Sequence, residues 1–346
     1  MTVYISTMLI SMLIILIANK VIKVKNKKIT LILAAIPLII TSGFRYGVGQ
    51  DYFSYAKTFE LASEGQFFDR IEPGFYFIIK FILLFTDNYL WMFVITSIIY
   101  IMFVFIAIYN QSDNELFSVY LFIAIGYYFA FFNGMRQLLA VSIFFYGIKY
   151  IKNRKIIPYA ICIIIATLIH NSTILLFPLY FLYGKKLKNY QFVIILLISI
   201  IFKPIILKLI LSIVELSKYS NYIGSSFDKS EKSYIQIYIN LTILVFALFY
   251  NRKKIEANTD FSFYCILHLI YTIITFYIGD IPLISRIRWG VGLPLIILIP
   301  KIINREKNKK TRFMFIVGIV AIYFVYFYYT IGIKNYNNVL PFNWFY

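Results

Sequence analysis

Residues 43–55 read GFRYGVGQDYFSY. An apolar segment ends there, and Arg45, Gly47, Gly49 and Asp51 follow at once. Nowhere else in the chain do opposite charges, glycines and aromatics crowd so tightly against the end of a predicted membrane span. Arg45 and Asp51 are therefore the first candidates for a site on the outer face of a membrane protein. Glycines at 47 and 49 would let the backbone turn sharply or approach a ligand.

The rest of the chain explains why a membrane frames this stretch. Of its 346 residues, 61% are hydrophobic and 14% charged. A soluble domain carries nearer a quarter charged residues. Apolar runs of about 15–20 residues recur from end to end, which predicts an all-α, polytopic membrane protein. The weaker period-two pattern of a barrel is absent. The expected spans are roughly 2–18, 29–44, 89–108, 116–132, 135–151, 156–169, 172–183, 188–203, 234–250, 261–277, 289–303 and 313–331, about 12 in one integral domain over residues 1–346. The first segment has no basic residue before it and lysines just after it, which predicts an uncleaved span. Cys162 and Cys265 both sit inside apolar runs and suggest neither a disulfide framework nor a metal site.

Charge decides the topology. Basic clusters mark cytoplasmic loops, and they fall at Lys20–Lys28, Lys149–Lys155, Lys185–Lys188, Arg252–Lys254 and Lys301–Arg312. All five lie on one side only if the short apolar piece Phe75–Phe85 does not cross, so it reads as an interfacial or re-entrant helix. The cytoplasmic side then holds about 21 Lys+Arg against about 5 acids, and the outer side about 13 against about 10. The net charge of +19 is thus positive-inside bias, and a nucleic-acid partner loses its support. Both termini are expected outside, with outer loops near 45–88, 204–233 and 278–288. Lys203, Pro204 and Lys208 lie on a segment expected to leave the membrane as a surface helix.

The chemically odd residues gather on that outer side. Arg45 closes the second span, with interfacial snorkelling as the plain alternative. Asp51 either N-caps the helix starting near Tyr52 or touches substrate. Tyr52, Tyr55 and Phe59 share one helix face, for packing or for stacking on sugar rings. In Asn133-Gly134-Met135-Arg136-Gln137, Arg136 lies in a first helical turn, where the dipole disfavours a cation unless an anion binds. Arg286 and Arg288 precede another span, and Arg286 is favoured as the one facing a cavity. His170, between two short apolar segments and followed by Asn171 and Ser172 as candidate caps, can take a proton from a hydroxyl near neutral pH. His268 lies mid-span without such company. No phosphate-binding glycine loop, serine elbow, zinc signature or acidic metal cluster is present, which argues against a sugar-nucleotide enzyme with a cytoplasmic domain.

Residues Arg45–Tyr52, Glu72-Pro73, Asn133–Gln137, His170–Ser172, Arg286 and Leu340-Pro341-Phe342 together resemble the EpsG family, related to Wzy-type polysaccharide polymerases. The likeness runs from about residue 30 to the C-terminus; Phe342 stands where the family usually has tyrosine. What the resemblance implies is a glycosyltransferase of C-type membrane architecture in the bacterial cytoplasmic membrane. It would join undecaprenyl-pyrophosphate-linked donor and acceptor glycans into exopolysaccharide, capsule or O-antigen. Inversion at the anomeric carbon is expected, with no metal or other cofactor. Lipid bilayer, chain-length regulator and flippase are the implied partners. Arginines suit a pyrophosphate leaving group, so Arg45, Arg136, Arg286 and Arg288, with Gln137 and Tyr52, are the expected substrate contacts. His170 is the first choice of base and Asp51 the second. A flippase or transporter of lipid-linked glycans and a polysaccharide acyltransferase are the alternatives.

Overall fold

A computed structural model describes residues 1–24, 26–66, 71–215, 233–251, 259–280 and 284–345. Lys25, the cluster Arg252–Lys254, most of the loop 204–233 and part of 278–288 lie outside them. The described chain is helical, and its isolated β-bridge pairs Arg45 with Trp344. It divides into two compact units, Met1–Ile174 with Asn308–Tyr346, and Leu175–Lys307.

In the first unit the helices are α1 (Thr2–Lys20), α2 (Lys27–Gly43), α3 (Tyr52–Ser63), α4 (Pro73–Leu83), α5 (Leu90–Gln111), α6 (Glu115–Ala124), α7 (Tyr127–Ala130), α8 (Met135–Lys152) and α9 (Ile156–Ile169). A 3₁₀ stretch, Asn171–Leu182, leads into the second unit, which holds α10 (Asn189–Ile201), α11 (Lys203–Glu215), α12 (Tyr234–Asn251), α13 (Thr259–Tyr277), α14 (Ile284–Gly292) and α15 (Leu295–Asn304). The chain then rejoins the first unit as α16 (Lys309–Phe327), followed by the π-helical turn Tyr328–Ile333.

Each expected span is occupied by helix, but not every helix is long enough to cross. Among the described residues five qualify by length and composition: Thr2–Lys20, Leu90–Gln111, Thr259–Tyr277, Arg286–Asn304 and Lys309–Ile333. The α10–α11 pair, bent by 69°, makes a sixth if it is one span. The expected twelve are therefore five or six by this measure. The left-handed Gly126 divides one expected span between α6 and α7, while α8 has 18 residues but carries Arg136, Lys149 and Lys152. The bend after Ile201 is where the segment carrying Lys203 was expected to turn away. Lys203 anchors it with Nζ 2.6 Å from Asp280 Oδ2.

Within the first unit α2 packs on α1 and α5, and α8 packs on α5 and α9. Lys27 at the start of α2 pairs with Glu115 at the start of α6, 3.1 Å apart, so these two helices begin at the same end. The opposite ends meet at the loop after α2. Tyr52 stacks on Phe93 near the start of α5, with ring centroids 4.4 Å apart. Asn133, just before α8, bonds the backbone of Gln50. Helix α4 starts near this end, and the chain is back there by Tyr89, whose ring lies 6.3 Å from that of Tyr52. At about 1.5 Å per residue, an 11-residue helix covers about half of a bilayer core. The chain through Phe75–Phe85 thus begins at this end of the unit and is back there by Tyr89.

Gly74 sets how closely α4 lies on α9. A Cβ there would sit 2.8 Å from the backbone carbon and oxygen of Leu168, which cannot give way as a side-chain tip can. Gly74→Ala is expected to push α4 off α9 and cost about 1–3 kcal/mol, read as a lower Tm in detergent. Gly318→Ala is the control, because a Cβ on that helical glycine meets nothing within 4 Å and should be neutral or stabilising. Equal Tm values for the two variants would contradict the close approach.

Candidate active site

The loop after α2 is built around Arg45. Its side chain is 0% exposed. The guanidinium donates through Nη1 to the Ser42 carbonyl and through Nε to the Val48 carbonyl at 3.2 Å. It lies 4.7 Å from the Phe93 ring centroid and 4.5 Å from that of Phe132. Burying a cation requires such acceptors and π-faces. The structure therefore places Arg45 inside the loop, where it satisfies a free carbonyl at the end of α2, and not on an open surface. Tyr52 and Phe59 are likewise 0% exposed, so the aromatic face of α3 packs inward.

The C-terminal segment closes over this loop. Tyr46 N–H donates to the Asn343 carbonyl at 2.9 Å, Gly49 N–H to that of Asn338 at 3.0 Å, and Phe345 N–H to that of Phe44 at 2.8 Å. Asn133 joins three segments. Its Oδ1 accepts from Gln50 N–H at 2.8 Å, and its Nδ2 donates to the Asn337 carbonyl at 3.1 Å. Gly49 allows this contact, since its φ is +103° and a Cβ would lie 2.8 Å from Asn133 Oδ1. The clasp fixes the start of α8, and with it Arg136.

The centre of the site is a carboxylate that sequence reasoning placed only within a motif. Glu72, 8% exposed at the N-cap position of α4, binds two groups at once. Its Oε2 is 2.5 Å from Arg136 Nη1, and its Oε1 is 2.9 Å from His170 Nδ1. The approach of α4 to α9 through Gly74 is what brings Glu72 to His170, the residue that ends α9. A carboxylate on Nδ1 selects the tautomer with the proton there. Nε2 then carries the lone pair, and it is buried with no hydrogen-bond partner. Arg136 retains 29% side-chain exposure and also bonds the Tyr55 hydroxyl, which donates to the Asn133 carbonyl at 3.1 Å. The anion demanded by a cation in the first turn of α8 is, in this state, the protein's own Glu72. One sign of it was legible: an acid set directly before Pro73 at the start of a largely apolar helix.

Asp51 occupies the N-cap position of α3 but makes no capping hydrogen bond, so the capping role expected of it is not realised. Its side chain is exposed. Desolvation by its surroundings raises its carboxyl above the ordinary range, and Arg136 opposes that rise. Gln137 is half-buried beside Arg136. Arg286 and Arg288 belong to the second unit, on α14. There Arg288 reaches Gln236 Oε1 at 3.3 Å and stacks on Trp289, with 4.7 Å to the ring centroid. His268 is 2% exposed, its Nε2 2.9 Å from the Asn240 carbonyl, a structural tie between α13 and α12. Among the described residues no three His, Cys, Asp or Glu side chains form a group that could hold a metal ion.

Burial alone would raise the Glu72 carboxyl, but the His170 hydrogen bond and the Arg136 charge outweigh it and hold the group below its ordinary 4.5. A depressed carboxyl stabilises the fold above its unfolded value and loses that contribution as pH falls through the folded value. The Tm of the wild type should thus fall more steeply than that of Glu72→Gln between about pH 5 and pH 3. At neutral pH the variant should be less stable by about 1–3 kcal/mol. Parallel Tm curves would show that Glu72 contributes nothing net.

No curated relative and no solved structure matches the chain. The EpsG family profile matches residues 28–344, nearly the whole sequence, and so takes in Arg45, Glu72, Arg136, His170 and the C-terminal clasp. The chain belongs to the EpsG family, a family of Wzy-like polymerases.

Proposed function

We propose that this protein is a glycosyltransferase that polymerises repeat units carried on undecaprenyl pyrophosphate, on the outer face of the bacterial cytoplasmic membrane. Family membership supports the polymerase class. The observation that carries the assignment to a site is Glu72 holding Arg136 and His170 together. One is a part-exposed guanidinium suited to phosphate, the other an imidazole with a free lone pair.

In the proposed reaction a hydroxyl of the lipid-linked acceptor attacks the anomeric carbon of the growing glycan. The bond from that carbon to the pyrophosphate oxygen breaks, and its electron pair leaves with the lipid pyrophosphate. The hydroxyl proton passes to His170 Nε2. Attack from the face opposite the leaving group inverts the anomeric centre. Arg136 offsets the charge that develops on the leaving oxygen, which gives this mechanism an electrophile without a metal. Asp51, near Arg136 and exposed, is placed to bind a sugar hydroxyl and is the second choice of base. Arg45 and Tyr52 are assigned to holding the loop, because both are buried. Gln137 is kept as a substrate contact beside Arg136; Arg286 and Arg288 remain candidates for anion binding on charge. The positive-inside distribution supports the outer-face placement, since Lys149 and Lys152 lie at the other end of α8, which carries Arg136.

The test is polymer formation by purified protein supplied with the lipid-linked repeat of its own source strain. A single preorganised donor contributes about 3–4 kcal/mol to such a transition state, or about 100- to 1,000-fold in rate. Arg136→Ala should therefore lose elongation by at least about 100-fold while expression stays intact, and Arg136→Lys should recover it in part. His170→Ala should also lose elongation. Full activity in Arg136→Ala would rule out this site.

A further inference from the structure

We infer that Glu72 is a positioning residue that makes proton acceptance at His170 contingent on an anion bound at Arg136. The inference rests on the reading of Arg136 as the pyrophosphate contact and goes beyond it, since it concerns how occupancy of one residue sets the readiness of another.

The geometry is that of a shared charge. One carboxylate serves two cationic or potentially cationic groups through separate oxygens, Arg136 on Oε2 and the His170 Nδ1–H on Oε1. The carboxylate is 8% exposed and the imidazole 11%, so water screens this pair weakly. With the site empty, Arg136 neutralises much of the Glu72 charge, and the imidazole gains little from it. An incoming pyrophosphate competes for the same guanidinium, whose five N–H donors allow it to swing between acceptors. Arg136 is the member of the trio that retains appreciable exposure, so it is the one an entering anion meets. As Arg136 turns to the phosphate, the Glu72 charge falls more fully on His170 and stabilises the imidazolium that forms when Nε2 takes the acceptor proton. The base is strengthened when a leaving group is in place, and a hydroxyl or water arriving without a donor meets a weaker one.

Among the described residues, few other titratable groups lie around the trio. Tyr55 on α3 touches Arg136, and Asp51 in the preceding loop feels its charge. Lys80 on α4 is held by the Ala62 carbonyl at 3.2 Å. Helices α5 and α9 contribute no charged residue. Glu72 contacts both Arg136 and His170 and so links them. Coupling of this kind is reciprocal: whatever factor the anion adds to proton binding at His170, a proton on His170 adds to anion binding.

The chain contains two histidines, which makes the test direct. Imidazole nitrogen NMR on ¹⁵N-histidine-labelled protein in nanodiscs separates the tautomers from the imidazolium, and His268→Gln assigns the spectrum. The probe is inorganic pyrophosphate. In the wild type without it, His170 should show a protonated Nδ1 and a bare Nε2. Saturating pyrophosphate at a fixed pH near neutrality should increase the His170 imidazolium population. Pyrophosphate should in turn bind about fivefold more tightly, or better, where His170 is protonated. In Glu72→Gln pyrophosphate should still bind, yet the His170 signals should hardly respond; Glu72→Asp, which keeps the charge, should restore part of the response. Pyrophosphate that binds the wild type and leaves the His170 signals unmoved overturns the coupling and leaves the anion site standing. Equal responses in wild type and Glu72→Gln overturn Glu72 as the link. Failure of pyrophosphate to bind at all overturns both the coupling and the reading on which it rests.

Discussion

A carboxylate withdrawn from water must be met by donors or positive charge, and this requirement at Glu72 organises the first unit around the site. The groups that meet it come from different helices, Arg136 from the first turn of α8 and His170 from the end of α9. Neither contact forms unless α4 lies close on α9, which the missing side chain at Gly74 permits. Removing one member of such a set leaves the others buried and uncompensated, which is costlier than the net contribution of the intact set. The arrangement thus fixes three helix ends relative to one another. It also leaves two reactive features, a part-exposed guanidinium and an unoccupied imidazole nitrogen.

Around this centre the loop after α2 and the C-terminal segment form a second, independent layer of positioning. Arg45 holds the loop from inside by bonding backbone carbonyls and lying between the rings of Phe93 and Phe132. Asn133 ties the loop, the entry to α8 and the C-terminal segment through backbone hydrogen bonds. Tyr4, on α1, adds a bond from its hydroxyl to the Val339 carbonyl at 2.7 Å. The site is held by backbone bonds from several segments, and both cysteines are buried and free. Precision of this kind is what a charge-stabilising site needs, since the donors contribute only if they are already in place.

The apolar runs made the helices legible, because run length and composition suffice to find them. They overstated how many helices are long enough to cross, since breaks such as Gly126 leave little trace in a hydropathy pattern. Arg136 was legible from one turn of helix, as a cation where the dipole is unfavourable. Its anion was not. Glu72 lies 64 residues from Arg136 and 98 from His170, and no local periodicity reports such pairings. Arg45 shows the same limit in reverse. Next to a span it reads as an outer-face arginine, while the aromatic rings and C-terminal segment that meet it come from elsewhere in the chain. Asp51 sits where a cap was expected, yet its side chain makes no such bond.

The most direct measurement of the central claim is a cryo-EM structure of the wild-type protein in nanodiscs with its lipid-linked repeat bound. The expected result is pyrophosphate density against the Arg136 guanidinium, with Arg136 turned from Glu72, His170 Nδ1 still on Glu72, and a sugar hydroxyl within hydrogen-bond reach of His170 Nε2. A headgroup bound elsewhere, with Arg136 still paired to Glu72 and no sugar near His170, would contradict it.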